Sequence, residues 1–194
     1  MALPAAKPPA AHMAWAKYLR EKVPGDAVHV VRHYDEGERN AIDIFTSENA
    51  GGIVAATVGV MDYDQAPPGR PPLATEILLD SRGRPETIAA IAAAIAFYIT
   101  KDGWRVSPGV TFADIMSMYE PGLGVKHVVF VPPFQWNETM TRVELEDRTI
   151  YPLLAVPITD GELRLAREQG ADQLQESWVR LATDVLDWSR EGVA

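Results

Sequence analysis

The sequence contains no cysteine among its 194 residues. Without thiols the chain has no disulfide bond, no thiolate metal site and no cysteine nucleophile, so any metal chemistry would depend on four histidines and the carboxylates. Bases are also scarce, because 18 lysines and arginines stand against 27 aspartates and glutamates, for a formal net charge of -9. An acidic surface repels phosphate backbones and anionic lipids, attracts basic partners and aids solubility. We therefore expect neither a nucleic-acid partner nor a membrane partner.

The sequence also lacks an apolar run long enough to cross a bilayer. Residues 88–99 are apolar throughout, but as a helix they span only roughly 18 Å, against about 30 Å for the hydrocarbon core of a membrane. The N-terminal residues 1–11 carry a single positive charge, Lys7, and no continuous apolar segment, which is not the pattern of a secretory signal. The sequence therefore predicts a cytoplasmic protein with a disordered tail over residues 1–12.

The uncharged stretch over residues 88–99 predicts a buried helix. Its alanines favour helix, Pro85 suits the first helical turn, and Gly103 follows the expected end. Isoleucines recur on one face at helical spacing, and small alanines elsewhere allow close approach by neighbouring elements. These isoleucines are Ile88, Ile91, Ile95 and Ile99. We expect a helix over residues 85–100 that supports a sheet.

The remaining patterns predict an α+β fold. Segments rich in β-branched residues or with alternating polarity predict strands. They cover residues 27–33, 41–46, 53–60, 73–79, 126–131 and 149–156. Residues 13–23 have the spacing of an amphipathic helix. Because strands and helices do not alternate regularly, we predict one domain over residues 13–194, with a mostly antiparallel mixed sheet packed by the Ala/Ile-rich helix and further amphipathic helices.

The clearest local signal is a capping box near the C-terminus. Thr159 precedes Glu162 by three residues, the spacing at which each side chain bonds the other residue's backbone N–H. The pattern predicts a helix that ends near Gln169, with Gly170 after it. A further helix is predicted over the remaining C-terminal residues, because large apolar side chains recur every three or four positions. These are Leu174, Trp178, Leu181, Val185 and Trp188.

Four residues are candidate ligands for a divalent ion. They are Asp62, Asp64, Glu76 and His127. Carboxylates two residues apart in a loop are common cation ligands, so one hypothesis is a small metal-dependent hydrolase. Loop aspartates more often cap turns through their own backbone, and Glu76 is either buried with a partner or exposed on a sheet. No nucleophile elbow, phosphate-binding loop or zinc-binding helix is present, so we predict no catalytic residue, no cofactor and no enzyme activity.

A second set of residues predicts a protein-binding surface. Phe134 and Trp136 follow the proline pair Pro132–Pro133, and large aromatic residues are frequent interface anchors. Three acidic residues follow closely in sequence and would suit a basic partner, namely Glu144, Glu146 and Asp147. The proline-rich loop over residues 62–72, which carries Asp62 and Asp64, is a second candidate contact. The alternatives are that the aromatic rings fold back onto the core and that the acids only solvate an exposed strand.

The segment over residues 156–163, Val-Pro-Ile-Thr-Asp-Gly-Glu-Leu, followed by residues 170–174, resembles the suppressor of fused domain family. Residues 75–79 and 127–132 agree more loosely and in the same order. The resemblance implies a compact α+β domain that binds protein. The eukaryotic relative holds a zinc-finger transcription factor, whereas short bacterial relatives look like immunity proteins.

This chain is too short for the second domain of the eukaryotic relative, so the resemblance implies an immunity or antitoxin-like protein that occludes a cognate toxin. The net negative charge favours a basic toxin. The family offers no catalytic motif to transfer. Pairing of two copies through an exposed sheet edge is compatible with either hypothesis.

Overall fold

The computed structural model describes residues 7–23 and 25–194. Its helices are α1 (Ala10–Lys22), α2 (Pro85–Thr100), α3 (Asp160–Gln169) and α4 (Ala171–Arg180). Its strands are β1 (Ala27–Tyr34), β2 (Ala41–Asn49), β3 (Gly52–Val58), β4 (Ile77–Ser81), β5 (Thr111–Phe112), β6 (Val125–Val131), β7 (Val143–Glu144), β8 (Thr149–Ile150) and β9 (Leu153–Thr159). Residues 1–6 of the predicted tail lie outside the described residues. Residues 10–12 were predicted as disordered tail but are helical, because α1 begins three residues before the predicted position.

Within the described ranges, seven strands form one sheet in the order β1-β2-β3-β4-β9-β6-β5. Neighbouring strands are antiparallel except for β4 and β9, which run parallel. Strands β7 and β8 form a separate antiparallel hairpin. A mixed, mostly antiparallel sheet with helices outside it confirms the predicted α+β class.

Helices cover both faces of the sheet. Helix α2 packs on one face in a cluster called here the α2 core. Helices α1, α3 and α4 pack on the other in the α1 core. Strand β4 shows why the chain divides in this way, because Ile77 and Leu79 belong to the α2 core and Leu78 to the α1 core, as side-chain alternation along a strand requires. The buried helix spans the predicted residues, and its four isoleucines are all inside the α2 core.

Two strand boundaries differ from the predictions. Strand β4 begins at Ile77 rather than at residue 73, because the residues before Ile77 have no ladder partner on β3 or β9 and only Ala74 pairs, in an isolated bridge to Ile150. The predicted strand over residues 149–156 is divided at Pro152 into β8 and β9, and β9 continues to Thr159.

The last helix ends at Arg180, so its predicted continuation to Trp188 is wrong. Ala182 has a φ of 50°, in the left-handed region where a helix stops. The chain then turns and places Trp188 in the α2 core, on the other side of the sheet from α4. Helical spacing persists in the sequence beyond the point where the backbone leaves the helix.

The capping box is present as predicted. Thr159 accepts a hydrogen bond from the Glu162 N–H at 3.3 Å, and Glu162 accepts one from the Thr159 N–H at 2.9 Å. The Glu162 carboxylate is fully buried and has a second role, because it also accepts hydrogen bonds from Arg190 at 2.9 and 3.0 Å and from the Trp178 indole at 2.9 Å. Glu162 thus links the start of α3, helix α4 and the C-terminal segment through hydrogen bonds.

We expect Thr159→Ala to lower the free energy of unfolding by about 1 kcal/mol, because an N-cap hydroxyl that accepts a backbone N–H is lost. Chemical denaturation measures this change. The matched variant Thr159→Ser keeps the hydroxyl and should retain most of the stability, and equal losses in both variants would argue against a capping role.

No helix in the described part of the chain is both long enough and apolar enough to span a membrane.

Candidate partner-binding site

The β7–β8 hairpin carries the three clustered acids that were predicted as partner contacts. Its two strands are anchored by Val143 and Ile150, which are buried in the α1 core, and its tip is closed by a hydrogen bond of 2.8 Å from the Leu145 N–H to the Arg148 carbonyl. Because these two apolar side chains point into the core, the acidic side chains of the hairpin face solvent. Glu144, Glu146 and Asp147 are all exposed. The hairpin therefore presents an acidic surface on a fixed base.

Asp62 joins this surface through an arginine. Arg148 lies 2.7 Å from Asp62 and 3.1 Å from Asp147, and the imidazole of His12 lies 2.8 Å from the other oxygen of Asp62. Partial burial acts to raise the pKa of Asp62, but the hydrogen bonds with His12 and Arg148 outweigh burial and hold that pKa below its usual value. Residues far apart in sequence thus form one charged cluster.

Asp64 has a different role from Asp62. One of its carboxylate oxygens accepts hydrogen bonds from the Ala66 N–H at 2.8 Å and the Leu73 N–H at 2.9 Å, and these bonds lower the pKa of Asp64. This is the turn-capping alternative described above. Asp64 shapes the proline-rich loop, and its oxygen is already occupied by backbone donors.

The two aromatic residues that follow the proline pair, Phe134 and Trp136, differ in burial. Trp136 is half-buried and packs against the α1 core, as the alternative interpretation expected. Phe134 remains 45% exposed. Only Phe134 is therefore free to act as a large apolar contact for a partner.

An apolar pocket of about 290 Å³, which no local sequence pattern predicts, lies beside the hairpin. Thr141 and Tyr151, which flank the hairpin in sequence, both line it. Its remaining lining consists of Leu73, Thr75, Val106, Ser107, Pro108, Pro132, Pro133, Pro152 and Leu153. The recurring prolines in three separated segments were the available signal, but nothing local shows that these segments meet. The hairpin, this pocket and Phe134 together are called the hairpin surface below.

Glu76, one of the candidate metal ligands, is fully buried. Its carboxylate accepts hydrogen bonds from the Gly59 N–H at 2.7 Å and the Met61 N–H at 3.1 Å, and it also bonds the Thr57 hydroxyl. Burial raises the pKa of Glu76 to about 8, against these hydrogen bonds, which lower it. The structure thus resolves the choice left open above, since Glu76 is buried and its partners are backbone and hydroxyl groups rather than a cation.

His127, another candidate metal ligand, has both ring nitrogens engaged in hydrogen bonds. Its Nδ1 accepts a hydrogen bond from the Asp114 N–H at 2.9 Å, so its Nε2 carries the proton and donates it to Asp160 at 2.9 Å. Hydrogen bonds from Lys126 and His127 lower the pKa of Asp160 to about 2. This network ties β6 to the start of α3.

The four candidate ligands therefore do not converge. Across residues 7–23 and 25–194, no group of three or more histidine, aspartate or glutamate side chains is placed to hold an ion. The arrangement does not support the metal-dependent hydrolase hypothesis, because the donor atoms it requires are bonded to other groups of the protein.

Comparisons with known proteins agree with this architecture. The sequence model of the family described as Suppressor of fused protein (SUFU) matches residues 38–191. The chain is 31% identical over 173 residues to the immunity protein YqcF of Bacillus subtilis (strain 168), covering 87% of this chain and 90% of that protein.

Solved structures show the same fold. A SUFU homologue from Neisseria gonorrhoeae FA 1090 superimposes with a TM-score of 0.68 at 14% identity, over 95% of this chain and 97% of its own. A chain of a Sufu–Fu complex gives a TM-score of 0.68 at 12% identity, over 96% of this chain and 93% of that chain. Drosophila Suppressor of Fused gives 0.61 at 13%, where this chain spans 52% of the fly protein. By sequence and by fold, the chain belongs to the suppressor of fused (SUFU) family.

Proposed function

We propose that this chain is an immunity protein that neutralises a cognate protein toxin by binding and occluding it. The observation that carries the proposal is its similarity to the Bacillus subtilis immunity protein along nearly the whole length of both chains. The proposal requires binding alone and assigns the chain no reaction. It places this binding in the cytoplasm.

The hairpin surface supports a basic partner. It combines an exposed aromatic ring and an apolar pocket with the exposed acids of the hairpin, and protein interfaces commonly combine apolar anchors with polar groups. The chain as a whole also has a net charge of -9, which accelerates encounter with a basic protein.

The candidate contacts differ in what each would contribute. Phe134 would supply apolar contact area, and Glu146 would supply the most charge. Glu144 is already paired with Arg142, and Asp62 and Asp147 are paired with Arg148, so these three would contribute less charge. Trp136 and Asp64 would act indirectly, by fixing the backbone beneath the surface.

The experiment is co-expression of this chain with a candidate toxin encoded by the neighbouring gene, read as growth rescue and recovery of a stable complex. Glu144→Lys with Glu146→Lys should slow association by roughly tenfold at low salt, because rim charges act mainly on the on-rate. The control, Glu168→Lys with Asp172→Lys, changes the same charge at exposed positions around the α3–α4 junction.

Equal effects of the two double variants would remove the hairpin surface from the proposal. Failure of the wild-type chain to bind or to rescue growth would remove the immunity function itself.

A further inference from the structure

The two edges of the sheet are very different. One edge is β5, which has only two residues. The other is β1, which has eight residues, all paired with β2 in a continuous register without a bulge. No strand among the described residues pairs with the outer side of β1. The sheet therefore has one short edge and one long, open edge.

Strand β1 lacks the usual features that prevent edge pairing. Proteins protect such edges with short strands, prolines, bulges or lysines, and the sequence Ala-Val-His-Val-Val-Arg-His-Tyr of β1 has no proline or lysine. Its one permanently charged side chain, Arg32, donates hydrogen bonds of 2.8 and 2.9 Å to the carboxylate of Asp43 on the neighbouring strand β2. In contrast, Val30 is 53% and Val31 is 52% exposed at the centre of the strand.

We propose that β1 pairs antiparallel with β1 of a second copy, so that the two sheets become continuous across a two-fold axis perpendicular to them. This inference is independent of the proposed function. A two-fold axis at Val30 or at Val31 places that valine directly opposite its copy, and it makes the other valines of the two copies diagonal neighbours on the opposite face. Cross-strand contacts between β-branched side chains stabilise such a pair, and the backbone groups of both edges are satisfied.

Charge at the two ends of β1 favours a second copy as the occupant. The exposed side chains of Lys17 and Arg20 on α1 border a cleft beside the N-terminal end of β1. The turn after the C-terminal end carries the exposed acids Glu36 and Glu38. The two bases outnumber the exposed Asp26 at this cleft, and the two acids outnumber the exposed Arg39 in the turn. Antiparallel pairing brings the basic end of each copy beside the acidic end of the other, so opposite net charges meet twice.

The cleft also suits a side chain of the second copy. It has a volume of about 580 Å³ and is lined by Val28 and Asp26 as well as by α1. In antiparallel registers centred on Val30 or Val31, Tyr34 of the second copy lies opposite Asp26 or Val28. Tyr34 is 57% exposed in the single chain, and it would enter this cleft.

The test is sedimentation velocity on the purified chain over a wide concentration range. We expect a reversible dimer with twice the monomer mass of 21.3 kDa. Val31→Lys should raise the dimer dissociation constant by about tenfold or more, since it brings two lysines near the axis. The matched control is Val179→Lys, at a position on α4 that is 82% exposed, and it should leave the dimer unchanged.

A charge exchange tests the geometry independently of apolar contacts. Lys17→Glu with Arg20→Glu should weaken the dimer, and so should Glu36→Lys with Glu38→Lys. The chain that carries all four changes should regain the wild-type dissociation constant, and circular dichroism confirms that each variant is folded.

Several outcomes would overturn the proposal. They are a wild-type chain that remains monomeric at all concentrations, a dimer that Val31→Lys and Val179→Lys weaken equally, and a quadruple variant that does not regain the wild-type dissociation constant. Hydrogen exchange of the β1 amides that slows only when another protein is added would assign the edge to a heterologous strand instead.

Discussion

Arg190→Ala is expected to lower the free energy of unfolding by about 3–5 kcal/mol, the usual cost of leaving one partner of a buried ion pair without the other. Glu162 is fully buried, and Arg190 is its only cationic partner among the described residues. Arg190 also donates a hydrogen bond of 2.9 Å to the carbonyl of Pro157, inside β9. The variant would therefore disturb both the start of α3 and the attachment of the C-terminal segment.

Chemical denaturation measures this loss, and Arg142→Ala is the control. Arg142 pairs with Glu144 at 2.5 Å, but both side chains are 60% exposed, so its removal should cost at most about 1 kcal/mol. Adding Glu162→Gln to Arg190→Ala should restore part of the stability, because it removes the unpaired buried charge. A loss no larger for Arg190→Ala than for Arg142→Ala would contradict the assigned role.

Glu76→Gln is expected to change stability in a strongly pH-dependent manner. Burial raises the pKa of Glu76 to about 8 from its ordinary value of 4.5, so the folded protein holds this proton more tightly than the unfolded chain does. The stability that this group contributes is therefore fully present below pH 4.5 and is lost as the pH rises through about 8. The slope in that window is about 1.4 kcal/mol per pH unit.

Glutamine resembles the protonated glutamate, since its carbonyl can accept from the Gly59 and Met61 N–H groups and its amide can donate to Thr57. We expect the variant and the wild type to be nearly equal in stability near pH 4.5. Near pH 9 the variant should be more stable by about 3–5 kcal/mol. Burial also raises the pKa of Asp80, to about 6, but both proteins share that residue, so it cancels in the difference. A difference that does not vary with pH would contradict this account.

Features set by neighbouring residues were predictable from the sequence. The limits of α2 follow from Pro85 and from an apolar run without charge, and the start of α3 follows from the spacing of Thr159 and Glu162. Both depend on contacts within a few residues. The error at the end of α4 has the opposite origin, because Trp188 is drawn into a core on the other side of the sheet.

The same distinction between local and long-range contacts applies to the candidate site. Exposure of the acids on the hairpin was one of the sequence expectations, but their connection to Asp62 through Arg148 depends on residues 86 positions apart. The burial of Glu76 was undecidable, because alternation along the chain does not show which layers cover a strand. The pocket beside the hairpin was invisible for a similar reason, since Leu73, Val106 and Tyr151 meet only in the folded chain.

The central claim, that this chain acts by binding a toxin, is tested most directly by titrating the purified chain into its purified cognate toxin while measuring the residual activity of the toxin. The account predicts that activity falls in proportion to added chain and disappears when every toxin molecule is bound. A toxin that keeps full activity in the presence of excess chain would contradict it.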